Sequence, residues 1–248
     1  MEIDTRIAGT SERDEPGIAD APEGHGNGST RDRLLRIGAR LFAEQGFHAV
    51  SVRSIVADAG VNLGAINYHF GSKQALFEEI FAAGASHIAQ MQLQLLANCQ
   101  DGPDRPPLLE QVITAYLAPG LIYGAERADI ANFQRIRARI ATEDSAMARR
   151  LLQRHFQQST ERFTEMLSHA LPHLPRNLLL WRYQTLAATV VYAGSSWGKN
   201  HSALGERGTA DGAQALDYLV PQMAAMFRTP ARDQPTDAVG DLKSLMED

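Results

Sequence analysis

From Ser29 to Arg228 the apolar residues of this 248-residue chain recur at three- and four-residue spacing, and no window alternates as a strand would. That period is the strongest constraint here, because a 3.6-residue repeat buries one face of a helix and does not suit a pleated strand. Leu34, Leu35, Ile37, Leu41 and Phe42 make the first such face; Ser29 or Thr30 serves as its cap, Asp32 follows three after Ser29, and the run stops near Gly46. Ser51 opens a second run, "VRSIVADAG", that stops at Gly60, and a very short third extends from Asn62 to His69. Ser72 starts a long fourth helix, in which Leu76, Phe77, Ile80, Phe81, Ile88, Met91 and Leu95 share a face as far as about Asn98. Further helices are expected over 108–123, 128–141, 144–171, 176–201 and 209–228, with breaks at Pro119–Gly120, Gly124, Pro172–Pro175, "SALGERG" and Pro230. The expected fold class is all-α.

Composition narrows the setting. A single cysteine, Cys99, excludes an internal disulfide and a cysteine-rich metal site, which fits a reducing cytoplasm. The acidic N-terminus has no apolar run of a secretory signal, and the longest apolar stretch, "LAATVVYAG", is too short to span a bilayer, so no membrane role is expected. Residues 1–28 are polar, Gly/Pro-rich and aperiodic, and are read as a disordered arm; 229–248 read as a flexible tail.

The net charge of −5 is unevenly divided. Residues 1–29 carry −5, residues 74–248 carry −3, and residues 30–73 carry +3, from Arg31, Arg33, Arg36, Arg40, Arg53 and Lys73 against Asp32, Glu44 and Asp58. Screening limits a field to ~8–10 Å, so the local charge governs attraction to phosphate.

That positive segment contains "VNLGAINYHFGSKQAL". On a helix, Ile66 and Phe70 share one face, and the opposite face centres on Gly64 and Tyr68, flanked by Ala65 and Asn67. Small, uncharged and hydrogen-bonding residues suit a reader of base edges: Asn bonds adenine, an Ala methyl meets the thymine methyl, and Gly admits close approach. The preceding helix and the "DAGV" turn, with Gly60 free to take positive φ, complete a helix-turn-helix pattern. Ser51 and Arg53 on one side, and Ser72 and Lys73 on the other, are expected to position the phosphates; Arg31 and Arg33 are candidates to add to them.

Residues 34–81, "ARLFAEQGFHAVSVRSIVADAGVNLGAINYHFGSKQALFEEIF" at their centre, resemble the DNA-binding domain of the TetR (tetracycline-repressor) family of bacterial transcription regulators. The matches are "LFAEQGF", "AGV", "HF" at 69–70 and "SKQAL". The resemblance implies an N-terminal three-helix head (29–73) and a larger C-terminal helical domain (74–228) that binds a small-molecule effector and forms a homodimer. It implies a ligand-responsive regulator of a double-stranded DNA operator, with repression the expected output and activation the alternative. The expected DNA-binding set is Ser51, Arg53, Asn62, Leu63, Gly64, Ala65, Asn67, Tyr68, His69 and Lys73. Two positions depart from the family pattern: Val56 stands where a small Ala is usual, and Asn67 where Tyr is usual.

For the effector, Tyr116, Tyr123, Phe133, Arg137, His155, Phe156, Phe163 and Trp181 are the candidate pocket residues, as apolar walls with a few polar anchors. Arg135 and Arg139 of "RIRARI" lie on one helical face, read either as a solvated stripe with Glu143 and Asp144 nearby or as a surface to meet an acidic ligand. Helices 176–201 and 209–228 are the expected dimer pair. An enzyme or adaptor is the competing class. His169 and His173 have zinc spacing, but Pro172 breaks the helix between them and no acid completes the set. No catalytic residue, metal or cofactor is expected.

Overall fold

The structure, a computed structural model, describes residues 29–99, 106–142, 145–194 and 211–230. The arm at 1–28, nearly all of the tail and the end of the 176–201 helix lie outside them. The described residues form helices and no strand: α1 (Thr30–Gln45), α2 (Val52–Ala59), α3 (Gly64–Phe70), α4 (Lys73–Ala97), α5 (Leu109–Leu121), α6 (Tyr123–Glu126), α7 (Ala128–Ala141), α8 (Ala146–Ala170), α9 (Arg176–Gly194) and α10 (Gly212–Arg228).

The starts follow from the caps. Ser29 and Asp32 form a capping box, the Ser29 hydroxyl accepting from Asp32 N and the Asp32 carboxylate from Ser29 N. Ser51 and Ser54 repeat the arrangement at α2, and Ser72 caps α4. Gly60 ends α2 in the left-handed region at φ 62°, its N–H bonding Ala57 O while the Val61 N–H reaches Val56 O. Two expected breaks fall inside helices, Gly124 within α6 and Pro119–Gly120 within α5. Pro119 and Gly120 lie inside α5, which runs on to Leu121 because both are buried among neighbouring helices. The packing outweighs the backbone hydrogen bond that Pro removes.

Two apolar cores divide the molecule. One joins Leu34, Leu41, Phe42, Ile55 and Ile66 of the first three helices to Leu76, Phe77 and Ile80 of α4, and continues to Phe133, Ile136 and Ile140 of α7 and the start of α8. The other fills the far end, among α5, the second half of α8, α9 and α10. The first three helices therefore share their core with α4 and α7. They are seated on the rest of the chain, not hung from it.

Candidate nucleic-acid interface and effector cavity

Helices α1, α2 and α4 pack around α3 and leave one side of it open. Ile66 is fully buried, while Gly64, Asn67 and Tyr68 are exposed, as are Asn62 and Leu63 in the turn before the helix. Tyr68 is 87% exposed, the highest value among the exposed large apolar side chains of the described residues. Its ring meets His69 edge-on at 4.9 Å, and His69 itself is half-buried. Helix α3 carries no carboxylate, lysine or arginine.

Two expected contacts are corrected. Ala65 does not face outward; it is 8% exposed and belongs to the core, because α3 is packed from more than one side and its buried arc takes in position 65 beside Ile66. Lys73 is not a free phosphate clamp. Its ammonium donates to Phe47 O at 2.9 Å and Val50 O at 2.8 Å and lies 4.4 Å from the Phe47 ring centre, so it ties the α1–α2 loop to the start of α4. Other cations of the positive segment are also engaged. Arg31 pairs with Glu79 and lies over Phe70, Arg33 bonds Ala59 O, and Arg40 pairs with Asp58 and Glu44. Arg53, exposed in the first turn of α2, makes no such bond among the described residues and stands beside the unpaired backbone N–H groups of the helix start.

The C-terminal candidates are mostly dispersed. Tyr116, Phe133, Phe156 and Phe163 are core, packed in aromatic pairs such as Tyr116–Phe163 at 5.0 Å. Tyr123 and Trp181 are exposed, and His155 is half-buried against Phe81, its pKa lowered first by burial and then by Arg154. Only Arg137 of the eight lines a cavity of about 770 Å³ between the end of α1, α7, α8 and α9. Sequence reasoning missed what opens that space. Its walls include Ala138, Ala141, Ala187 and Ala188, so this void arises where side chains are small, a signal the choice of large aromatics did not follow. Among the described residues no three His, Cys, Asp or Glu side chains are grouped to hold a metal, and no helix is long and apolar enough to cross a membrane.

Residues 34–80 match the model of the bacterial regulatory proteins of the tetR family, and residues 114–226 match that of the tetracyclin repressor-like C-terminal domain. The chain belongs to the TetR family.

The TetR-family fold extends over most of the molecule. A bacterial regulatory protein of the tetR family from Rhodococcus RHA1 superposes with a TM-score of 0.61 over 83% of this chain and 100% of that one, at 14% identity. AibR, solved in complex with isovaleryl coenzyme A and operator DNA, superposes with a TM-score of 0.57 over 78% of this chain and 97% of that one, at 16% identity. In sequence, the transcriptional regulator AcrR of Shigella flexneri is 38% identical over 74 residues, 30% of this chain and 34% of that one. The chain thus spans less than half the length of these curated relatives. Of its two departures from the family pattern, Val56 is buried in the head and Asn67 is exposed on the open face of α3.

Proposed function

We propose that this TetR-family protein is a ligand-responsive, sequence-specific DNA-binding regulator acting in the cytoplasm as a homodimer, with repression as its output and no catalytic step. The observation that carries the reading is the open face of α3: a neutral surface of Gly64, Asn67 and Tyr68 on a short helix, preceded by Asn62 and Leu63 and followed by His69, in helix-turn-helix order with α2. Such a face has little use in water but suits a major groove, where the second helix of the motif docks. Ser51 and Arg53 at the start of α2 are assigned to phosphate; Ala65 and Lys73 are assigned to support the reading helix from within.

A two-fold dimer would set two copies of α3 in successive major grooves, ~34–36 Å apart for a one-turn spacing. Trp181 of α9 and Tyr218 of α10 are exposed aromatics on the two helices assigned to the dimer contact, and they favour that assignment. The effector is assigned to the 770 Å³ cavity, whose size lies within the usual range for small-molecule sites. Release of DNA requires the effector to bind the non-matching state more tightly, since equal affinity for both shifts nothing.

Selection of genomic DNA fragments by the purified protein is the decisive experiment. A shared pseudo-palindromic site, lost in Tyr68→Ala, is the expected result; recovery of DNA without a common sequence would overturn the reading.

A further inference from the structure

The cavity is cationic on one wall and apolar on the others. Helix α7 brings Arg135, Arg137 and Arg139 to it, opposite Leu152, Ala187 and Val191. Among the described residues none of the three guanidiniums is in an ion pair. Arg135 bonds only the Asn132 side chain, at 3.2 Å. Arg137 is more than nine-tenths buried, lies 4.5 Å from the centre of the Phe156 ring, and leaves its Nε without an acceptor. A buried guanidinium Nε without an acceptor is costly, and three arginines that form no ion pair among the described residues, set beside apolar surface, make a site for an anion that brings its own apolar body.

Arg139 serves two places at once. Its Nε donates to Ala43 O at 3.2 Å and its Nη2 to Glu44 O at 2.7 Å. These are last-turn carbonyls of α1, which a helix leaves without partners of its own. Ala43 also lines the cavity, and the Arg139 side chain passes 3.8 Å from where a Cβ on Gly46 would lie. One guanidinium therefore caps the first helix of the head and forms part of the cavity wall.

We propose that the cavity takes a small organic carboxylate with an apolar tail or ring, and that Arg139 reports its arrival to the head. The carboxylate accepts both parallel N–H bonds of the Arg139 fork. It displaces the neutral carbonyls because a bond to an ionised acceptor is about twice as strong. Its charge beside the negative end of the α1 dipole then opposes the return of the cap. The last turn of α1 and the loop to Ser51 loosen, and with them the seat of α2. This rests on the regulator reading for its consequence on DNA; binding of the carboxylate and loss of the cap do not.

The test uses the full chain with straight-chain carboxylates from octanoate to tetradecanoate, and the alcohols of equal length as neutral probes. Calorimetry should show at least one carboxylate binding about tenfold or more tighter than its alcohol, with Arg135→Gln weakening it about tenfold. Hydrogen exchange should show protection of 135–142 and 187–192 and several-fold faster exchange over 43–50 on binding. In Arg139→Gln, residues 43–50 should exchange fast from the outset and not respond further. Equal binding of acid and alcohol, no binding by any acid of the series, or unchanged exchange over 43–50 with a bound acid would each overturn the proposal. A protein that selects an operator yet fails these tests loses only this inference; one that passes them yet selects no DNA loses the regulator reading.

Discussion

Lys73 shows how a single contact reassigns a residue. By sequence it opens α4 beside a groove, but two carbonyl bonds and the Phe47 ring hold its half-buried ammonium against the α1–α2 loop. Lys73→Met is expected to cost about 2 kcal/mol, the order of a single bond to a charged donor, because at a half-buried site water replaces part of what the two bonds supply. Thermal unfolding should fall by about 4–8 °C, while the salt dependence of DNA binding in the folded fraction stays unchanged. Arg53→Ala should do the reverse, leaving the melting temperature in place and lowering the slope of log affinity against log salt by about one per copy. Tyr68→Ala should lose about 1–3 kcal/mol of preference for the selected site over random DNA, measured by competition binding. His155 adds a pH effect. Burial and then Arg154 lower its folded pKa below the ordinary 6.5, so the unfolded chain takes up a proton first as the solution is acidified. Stability is therefore full above pH 6.5 and falls as the pH drops from 6.5 towards the lower folded value; denaturant titrations of His155→Gln should be flatter across that window.

At the scale of elements, two glycines separate backbone demand from packing demand. Gly60 closes α2 at φ 62° with nothing within 4 Å of a built Cβ, so Gly60→Ala meets only the conformational penalty, about 1 kcal/mol. Gly84 in α4 has ordinary helical geometry, but a Cβ there would lie 2.5 Å from the Phe133 ring, itself fixed in the core by Phe81 and Phe156. Gly84→Ala should cost more, about 1–3 kcal/mol, through forced displacement of that ring. Chemical denaturation of the two variants checks the order. The same distinction explains α3. Its short length was legible from residue types, whereas the side to which Ala65 turned depended on how many helices pack against it.

For the whole molecule, the shared core of the head is the governing feature. Leu76, Phe77 and Ile80 of α4 and Ile136 and Ile140 of α7 complete the packing around Leu41, Phe42 and Ile66. A fragment of residues 29–73 is therefore expected to be largely unfolded by circular dichroism, where a self-contained head would be helical. The proposed dimer face makes a separate prediction: Trp181→Gln with Tyr218→Gln should shift the protein towards monomer in sedimentation at micromolar concentration and weaken operator binding with it. A dimer unaffected by both changes would move the contact to another surface.

Helix spacing, Ser caps and Gly stops are local, so the sequence by itself determined the all-α class, the helix-turn-helix and the exposed face at Gly64, Asn67 and Tyr68. Whether an aromatic such as Phe163 fills a core or lines a cavity, and whether a cation such as Lys73 meets solvent or a carbonyl, depends on which residues far along the chain come to lie beside it. The cavity is the clearest case: it lies where Ala43, Ala138 and Ala187, from three distant helices, leave space together, and that coincidence exists only in the tertiary structure.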